Sequence, residues 1–295
     1  MTLTDQSATV APSEPLEGLA RFAFEAAPRL CDPAHGCAPY HRAWSMIRLL
    51  MKGGALPAGE EFFAPRLVAA ARGGVCRVLL SGAADTGLAA LVLRALGAAG
   101  VRPQIVLADR CATTLEQNRR FAAQIGARFE LHHGDLAGLD CAPVDAVVMH
   151  SVLHFIPPEA RASVVASWAR VLRPGGELMG FQRLSGAARS RDPAGIAISA
   201  AGLEAAALAY GFDPAEAAQI RLAGAAFWAA RLTHAPSDPD AFRGLLARAG
   251  FDLMEIVTPD AAQTGSPVHL AGQSGPGPQS LFAARRRGLD QPAPG

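Results

Sequence analysis

Charge is scarce in this sequence, and lysine is almost absent: Lys52 is the only one among 295 residues. Charged residues make up 18% of the chain and the net charge is +1, so there is no excess of cations to contact a phosphate backbone. The one basic run, at 285–287, is interpreted as a solvated strand end. Nucleic acid is therefore not an expected partner.

Long apolar runs are missing as well. No stretch approaches the ~20 uninterrupted apolar residues of a membrane-spanning helix, so the sequence predicts no membrane span. Residues 1–15 are polar and lack the cationic and apolar regions of a signal peptide. They are predicted to form a disordered tail.

The five cysteines are scattered and odd in number, which argues against a disulfide framework and favours a reducing, cytoplasmic location. They are Cys31, Cys37, Cys76, Cys111 and Cys141. Two of them lie close to His35 and His41, which leaves a Cys2His2 metal set as an open alternative. The spacing is not that of common zinc sites, and no metal is expected in catalysis.

Half of the residues are hydrophobic, and short apolar runs alternate with helical patterns. The run at 78–80 predicts a buried strand, because it is too short for a helix. A small-residue turn at 82–87 leads into a helix and then into a second strand that ends at Asp109. In such a βαβ unit, a ligand can approach the backbone at the helix N-terminus, and the final acidic residue can accept hydrogen bonds from a ribose.

The same alternation continues along the chain. A capping box, Thr113-x-x-Glu116, predicts the start of a helix. Strands alternating with helices at this spacing predict a mostly parallel sheet covered on both faces. The five further strands are predicted at 129–133, 145–150, 177–181, 251–257 and 280–285.

Two regions lie outside this alternation. Residues 16–72 are predicted to form a helical cap or substrate region that can be deleted without unfolding the sheet domain at 73–295. Residues 185–235 are predicted to be a helical insert, in which Asp213-Pro214 begins an apolar helix. This insert is interpreted either as a packed layer or homodimer face, or as a substrate lid.

Five landmarks in this order resemble class I S-adenosylmethionine-dependent methyltransferases of the small-molecule type. They are the 82–87 turn, Asp109, Gly134-Asp135-Leu136, the strand and loop at 145–155, and the segment 171–176 that ends in Pro-Gly-Gly. The resemblance implies an α/β fold: a Rossmann-like seven-stranded mostly parallel sheet with the last strand antiparallel, plus an N-terminal helical cap. It also implies S-adenosyl-L-methionine as the cofactor.

The resemblance further implies a role for each landmark. The backbone of Ser81, Gly82 and Ala83 would face the methionine part of the cofactor. Asp109 would bind the ribose hydroxyls from an exposed strand end, where its loss costs little stability, and Arg110 would lie beside the adenine.

Three further groups complete the implied site. The residues that would read the adenine edge and face are Gly134, Asp135 and Leu136. The residues that would lie beside the reactive methyl are His150 and Ser151. The helical stripe of Tyr40, Trp44 and Arg48 resembles the N-terminal cap that covers the cofactor in some small-molecule methyltransferases; the other interpretation is a core aromatic pair with a surface arginine.

Two departures from the family pattern concern the first strand and its turn. Leu80 stands where an acidic residue usually ends the strand, and Ala84 and Thr86 replace two glycines. Asp85 is the candidate to take over the missing acidic role. A catalytically degenerate domain that binds S-adenosylmethionine is therefore one alternative.

The sequence predicts methyl transfer to an O or N atom of a small, partly apolar molecule. A general base is needed only when the acceptor oxygen or nitrogen is protonated, and the candidates are His41, His150 and His154. An NAD-dependent oxidoreductase is the other alternative, although the Pro174-Gly175-Gly176 turn and the absence of an obvious Tyr-x-x-x-Lys set argue against it.

Overall fold

A computed structural model describes residues 14–54, 59–184, 192–230, 234, 238–258 and 279–288. Its strands are β1 (Val75–Ser81), β2 (Arg102–Asp109), β3 (Glu130–His133), β4 (Val144–His150), β5 (Leu172–Arg183), β6 (Phe251–Val257) and β7 (Gln279–Arg286). They form one sheet in the order β3-β2-β1-β4-β5-β7-β6. Only β7 runs antiparallel to its neighbours in this sheet. The predicted fold is confirmed.

The described helices are α1 (Leu16–Leu30), α2 (Ala38–Met51), α3 (Glu60–Ala70), α4 (Gly87–Ala98), α5 (Ala112–Gln124), α6 (Arg161–Val171), α7 (Pro193–Tyr210), α8 (Pro214–Ala230) and α9 (Pro239–Arg248). The sequence pattern missed α7, because its apolar residues are not confined to one stripe. Its start carries a usable signal: Asp192 precedes Pro193 and accepts hydrogen bonds from the backbone N–H groups of Ala194 and Gly195.

The predicted capping box at the start of α5 is wrong. The helix begins at Ala112, so Thr113 already lies in its first turn and Cys111 is the capping residue, without a side-chain cap bond. The Thr113 hydroxyl lies 3.2 Å from the Cys31 thiol instead, and Glu116 pairs with Arg119 and Arg120. A partner distant in sequence has displaced the local capping bond.

The N-terminal helices share the core of the sheet. Leu19, Phe63 and Leu67 are buried in the same apolar cluster as β1, β4 and α4. The fully buried Gln117 of α5 donates one hydrogen bond to the Leu19 carbonyl and one to the Ser45 hydroxyl, both at 2.9 Å. Removing residues 16–72 would expose this core, so the truncated sheet domain is expected to be destabilised; the division of the chain at 72/73 stays a prediction.

The insert helices α7 and α8 pack on α2. Leu203 and Ala207 of α7 are buried with Phe227 of α8 and Met46 of α2 in one apolar cluster. This arrangement supports the interpretation of the insert as a packed layer for 192–230, while 185–191, 231–233 and 235–237 lie outside the described residues.

By length and composition alone, α7 is the one helix of the described residues that could cross a membrane. The same apolar length is found in helices that pack within a protein, and α7 buries Leu203 and Ala207 completely against its neighbours. Glu204 also pairs with Arg221 of α8, 3.2 Å away. The expectation of no membrane span stays a prediction.

Candidate active site

A cavity of about 460 Å³ opens at the carboxyl ends of β1, β2 and β4. The strand order reverses between β1 and β4, which is where ligands bind in open α/β sheets. The predicted site residues that line this cavity are Tyr40, His41, Gly82, Ala83, Asp109, Arg110, Asp135, Leu136, His150 and Ser151. The structure therefore brings most of the predicted site to one place, and their individual roles stay predictions.

The turn after β1 exposes its backbone to the cavity because Gly82 has no side chain. Its φ is +68°, and its N–H donates to the Ala108 carbonyl at 2.9 Å, which closes the turn onto β2. A Cβ at this position would lie 2.8 Å from a methyl group of Val152, which also lines the cavity. Only glycine fits both the backbone angle and the space.

Gly82→Ala is expected to destabilise the fold by about 2–3 kcal/mol and to weaken ligand binding in the cavity, because left-handed strain adds to the clash with Val152. Gly126→Ala is the matched control: Gly126 has the same φ of +68° but nothing within 4 Å of its Cβ position. It is expected to cost only about 1 kcal/mol. Chemical denaturation measures both, and equal losses in the two variants would contradict the predicted clash.

Asp109 is buried, only 8% exposed, at the end of β2. Its Oδ2 accepts a hydrogen bond from the Ala83 N–H at 3.0 Å, and its Oδ1 accepts one from the Cys111 N–H at 2.8 Å. Burial raises the pKa of Asp109 to about 6. The charge of His41 and the two N–H donors act in the opposite direction and lower this pKa. The expectation of an exposed carboxylate without a structural role is wrong, since Asp109 ties the turn after β1 to the start of α5.

The end of β4 presents His150 and Ser151 to the cavity. The His150 ring stacks on Phe181 of β5 with the ring centres 4.9 Å apart and the planes 6° from parallel. Ser151 has φ +56°, the one positive value for a non-glycine residue among those described, and its N–H donates to the Phe181 carbonyl at 2.6 Å. Strained backbone of this kind costs about 1–3 kcal/mol and clusters at functional sites.

His41 lines the cavity from α2 and is almost fully buried. Its Nδ1 is 3.1 Å from the Thr114 hydroxyl. Burial alone lowers the pKa of His41, but the hydrogen bond with Cys111 and the charges of Cys111 and Asp109 together raise it above its ordinary value. These fixed partners make His41 a weaker candidate for the general base than His150.

Arg48 and Asp85, both predicted to contact the cofactor, do not line the cavity. They pair with each other below it, with Arg48 Nε 2.6 Å from Asp85 Oδ2, while Asp85 Oδ1 accepts from the Gly87 N–H at 2.8 Å. Arg48 also donates to Glu14 at 2.8 Å, which anchors a residue that was predicted to belong to the disordered tail. Residues 1–13 lie outside the described part of the chain. Because Asp85 does not line the cavity, it is not placed to replace an acidic residue at Leu80, which is itself buried in the core.

Four other predicted residues also lie outside the cavity lining. The Ser81 hydroxyl accepts a hydrogen bond from the Trp168 indole N–H at 2.8 Å, and the Gly134 N–H donates to the Asp109 carbonyl at 3.1 Å. Trp44 stacks behind Tyr40 at 5.9 Å. His154 is buried in a 3-10 turn beside Phe155, which separates the general-base candidate from the site.

Several residues of the cavity lining are not among those that the sequence assigns to the cofactor or acceptor site. They are His35, Cys37, Val152, Phe155, Ile156 and His234. The landmark at 145–155 pointed to the loop that carries Phe155, whose ring contacts Tyr40 edge-on at 5.6 Å. By contrast, His234 lies near the end of the predicted insert, after α8, and had no local signal.

Residues 82–176 match the family described as "Methyltransferase domain". The chain contains a class I S-adenosylmethionine-dependent methyltransferase domain. The match begins at the Gly82 turn and ends at the Pro-Gly-Gly segment, so it includes each of the landmarks found in the sequence. The predicted methyltransferase family and its cofactor, S-adenosylmethionine, are confirmed at the level of the domain family.

Solved methyltransferases share the fold of the domain. Mitomycin 7-O-methyltransferase MmcR is 17% identical over 92% of this chain and 66% of its own, with a TM-score of 0.50. The pyocyanin biosynthetic protein PhzM is 16% identical over 90% and 61%, with a TM-score of 0.48. This chain thus spans less than two thirds of either protein. At 17% identity, the likeness to MmcR shows the fold alone. No curated protein matches the chain.

The cavity of the methyltransferase domain fits its cofactor at two points and departs at one. The Gly82 turn leaves room that a Cβ would fill, and the Asp109 carboxylate lies beside it with lone pairs left for a ribose. Asp135 and Leu136 also line the cavity. The departure is at Leu80, where β1 offers no carboxylate to the cofactor's amino group.

Proposed function

We propose that this chain transfers a methyl group from S-adenosylmethionine to an O or N atom of a small, partly apolar molecule. The observation that carries the proposal is the placement of Gly82, Asp109 and His150 at three neighbouring strand ends around one cavity. When bound, the cofactor supplies a methyl group on a sulfonium, which is already activated for in-line displacement. The protein's task is then to position the acceptor and, where needed, to remove its proton.

The wall opposite the strand ends supports an acceptor with apolar surface. It is formed by Tyr40 of α2, Phe155 and Ile156 from the loop after β4, and Val164 of α6. Phe227 of α8 backs Tyr40 with the ring centres 5.2 Å apart, so the insert stiffens this wall. A cavity of this size, mostly apolar with a few polar groups, suits a small molecule.

His150 is the proposed general base for this reaction. It lines the cavity at the end of β4, and its ring is held flat against Phe181. An imidazole titrates near neutral pH, so it can take a proton from a phenol or an ammonium group as the methyl transfers.

The test is to incubate the protein with methyl-labelled S-adenosylmethionine and a panel of phenols and amines. Label is expected in at least one hydroxyl or amine product. His150→Gln is then expected to lower kcat by about a hundredfold with cofactor affinity unchanged. His154→Gln is the matched control, because that histidine is buried outside the lining, and it should keep kcat once folding is verified. Equal losses in both variants would contradict the assignment.

A degenerate domain remains the second candidate, and one observation favours it. Leu80 is buried in the core, and Asp85 lies outside the cavity lining, so neither supplies the usual acidic contact. Tight binding of S-adenosylhomocysteine without transfer to any acceptor in the panel would favour this candidate.

A further inference from the structure

Three cysteines from separate segments meet beside the cavity. Cys31 ends α1, Cys37 precedes α2 and Cys111 precedes α5. The Cys111 sulfur lies 3.4 Å from that of Cys31 and 3.8 Å from that of Cys37, and all three sulfurs lie within 4.8 Å of one another. Two of the residues are buried and Cys37 is half-buried, on the cavity wall.

The sulfur spacing is that of a metal site. Zinc bound tetrahedrally to thiolates at 2.3 Å holds neighbouring sulfurs roughly 3.8 Å apart. A disulfide needs about 2.05 Å, which is far shorter than either measured separation. The three thiols therefore stand at the corners of a site that one ion could occupy with little movement.

The ends of the surrounding helices favour a cation held by thiolates. Cys37 and Cys111 precede the N-termini of α2 and α5, where the partial positive charge of the helix stabilises a thiolate. Cys31 follows the C-terminus of α1, where the partial negative charge favours a cation. The helix field therefore favours a thiolate at Cys37 and Cys111 and disfavours one at Cys31, where the bound cation would have to offset it.

His41 is the candidate for a fourth donor, although only the three cysteine sulfurs lie within 4.8 Å of one another. It follows Cys37 by four residues at the start of α2, so the two residues lie on the same side of the helix. Its Nδ1 lies 3.1 Å from the Thr114 hydroxyl. Metal-binding histidines usually donate one ring N–H to such a partner and ligate through the other nitrogen.

We propose that Cys31, Cys37 and Cys111 bind one zinc ion, with His41 as the fourth ligand. The set shares three residues with the Cys2His2 alternative drawn from the sequence, but Cys111 takes the place of His35. The ion is structural, since four protein ligands leave it no open position. It fastens the α1–α2 connection to the end of β2, where the Cys111 N–H holds the Asp109 carboxylate.

The full chain, isolated under reducing conditions, is expected to contain about one zinc per molecule by elemental analysis. Replacement of zinc by Co(II) should produce thiolate-to-cobalt charge-transfer absorption and the strong ligand-field bands of a tetrahedral site. Cys31→Ser and Cys111→Ser should each lose the metal. Cys141→Ser is the matched control, a half-buried cysteine outside the cluster, and should keep it.

His41→Ala tests the fourth ligand separately. It should keep the thiolate-to-cobalt absorption and shift the ligand-field bands, because water replaces the imidazole. Unchanged ligand-field bands in this variant would remove His41 from the set.

The parent protein decides the proposal even where a serine variant fails to fold. Reduced parent protein that takes up neither zinc nor Co(II) at equimolar metal would overturn it. A Cys31–Cys111 disulfide in freshly isolated protein, with no bound metal, would also overturn it.

Discussion

Asp109→Ala is expected to weaken the binding of S-adenosylhomocysteine by about tenfold to a thousandfold. Hydrogen bonds from two ribose hydroxyls to a charged acceptor are worth about 1.5–3 kcal/mol each, and every 1.4 kcal/mol is a factor of ten. The variant should also lose about 1–3 kcal/mol of stability, because the N–H groups of Ala83 and Cys111 lose their buried acceptor. Asp109→Asn keeps one acceptor oxygen, so its affinity for S-adenosylhomocysteine should lie between those of the parent and of Asp109→Ala.

The control for Asp109 must reproduce its structural role without its place in the cavity. Asp145 does so: it is 4% exposed at the opposite end of β4, and its Oδ2 accepts from the Arg77 N–H at 2.8 Å. Asp145→Ala should be destabilised yet bind S-adenosylhomocysteine with parent affinity. Calorimetric titration of each variant with S-adenosylhomocysteine, below its unfolding temperature, measures the two affinities. If folded Asp109→Ala binds as tightly as the parent, the ribose does not lie at this carboxylate.

Arg48→Ala is expected to destabilise the protein by about 3–5 kcal/mol, because it leaves two buried carboxylates without their cation. The side chain of Arg48 is 3% exposed, and those of Glu14 and Asp85 are 7% and 5% exposed. Burial lowers the pKa of Arg48, but the charge of Asp85 and the hydrogen bond and charge of Glu14 outweigh it and raise the pKa overall. The guanidinium is therefore charged and fully engaged in the fold.

An exposed pair provides the comparison for Arg48. The side chains of Arg94 and Glu60 are 50% and 33% exposed, and Arg94→Ala should cost no more than about 1 kcal/mol. Urea denaturation of both variants measures the difference. A loss below 1 kcal/mol for Arg48→Ala would mean that the buried network does not form. If Arg48→Ala instead keeps the stability of the parent but no longer binds the cofactor, the result would support the direct contact between Arg48 and the cofactor that the sequence predicts.

The sheet could be predicted from the sequence because its signals are local. Apolar runs such as 78–80 define strands. Gly82 follows β1, Asp109 ends β2 and Asp135 lies two residues after β3, so a parallel sheet must gather them at one edge. The confirmed fold and the cavity lining both follow from that rule.

What could not be predicted depends on residues far apart in the chain. The pairing of Arg48 with Asp85 joins residues 37 positions apart, and the contact of Cys31 with Cys111 spans 80 positions. Asp109 was expected at an exposed strand end, but it is almost fully buried, with the charge of His41 from α2 beside it. The helix α7 was missed for another reason, since its small apolar residues lack an amphipathic stripe.

Calorimetric titration of the full chain with S-adenosylhomocysteine, and in parallel with NAD, tests most directly whether the cavity at Gly82 and Asp109 is the cofactor site. The account predicts micromolar binding of S-adenosylhomocysteine, roughly −8 kcal/mol, and no binding of NAD at the same concentration. No detectable binding of S-adenosylhomocysteine at millimolar concentration, or micromolar binding of NAD in its place, would contradict it.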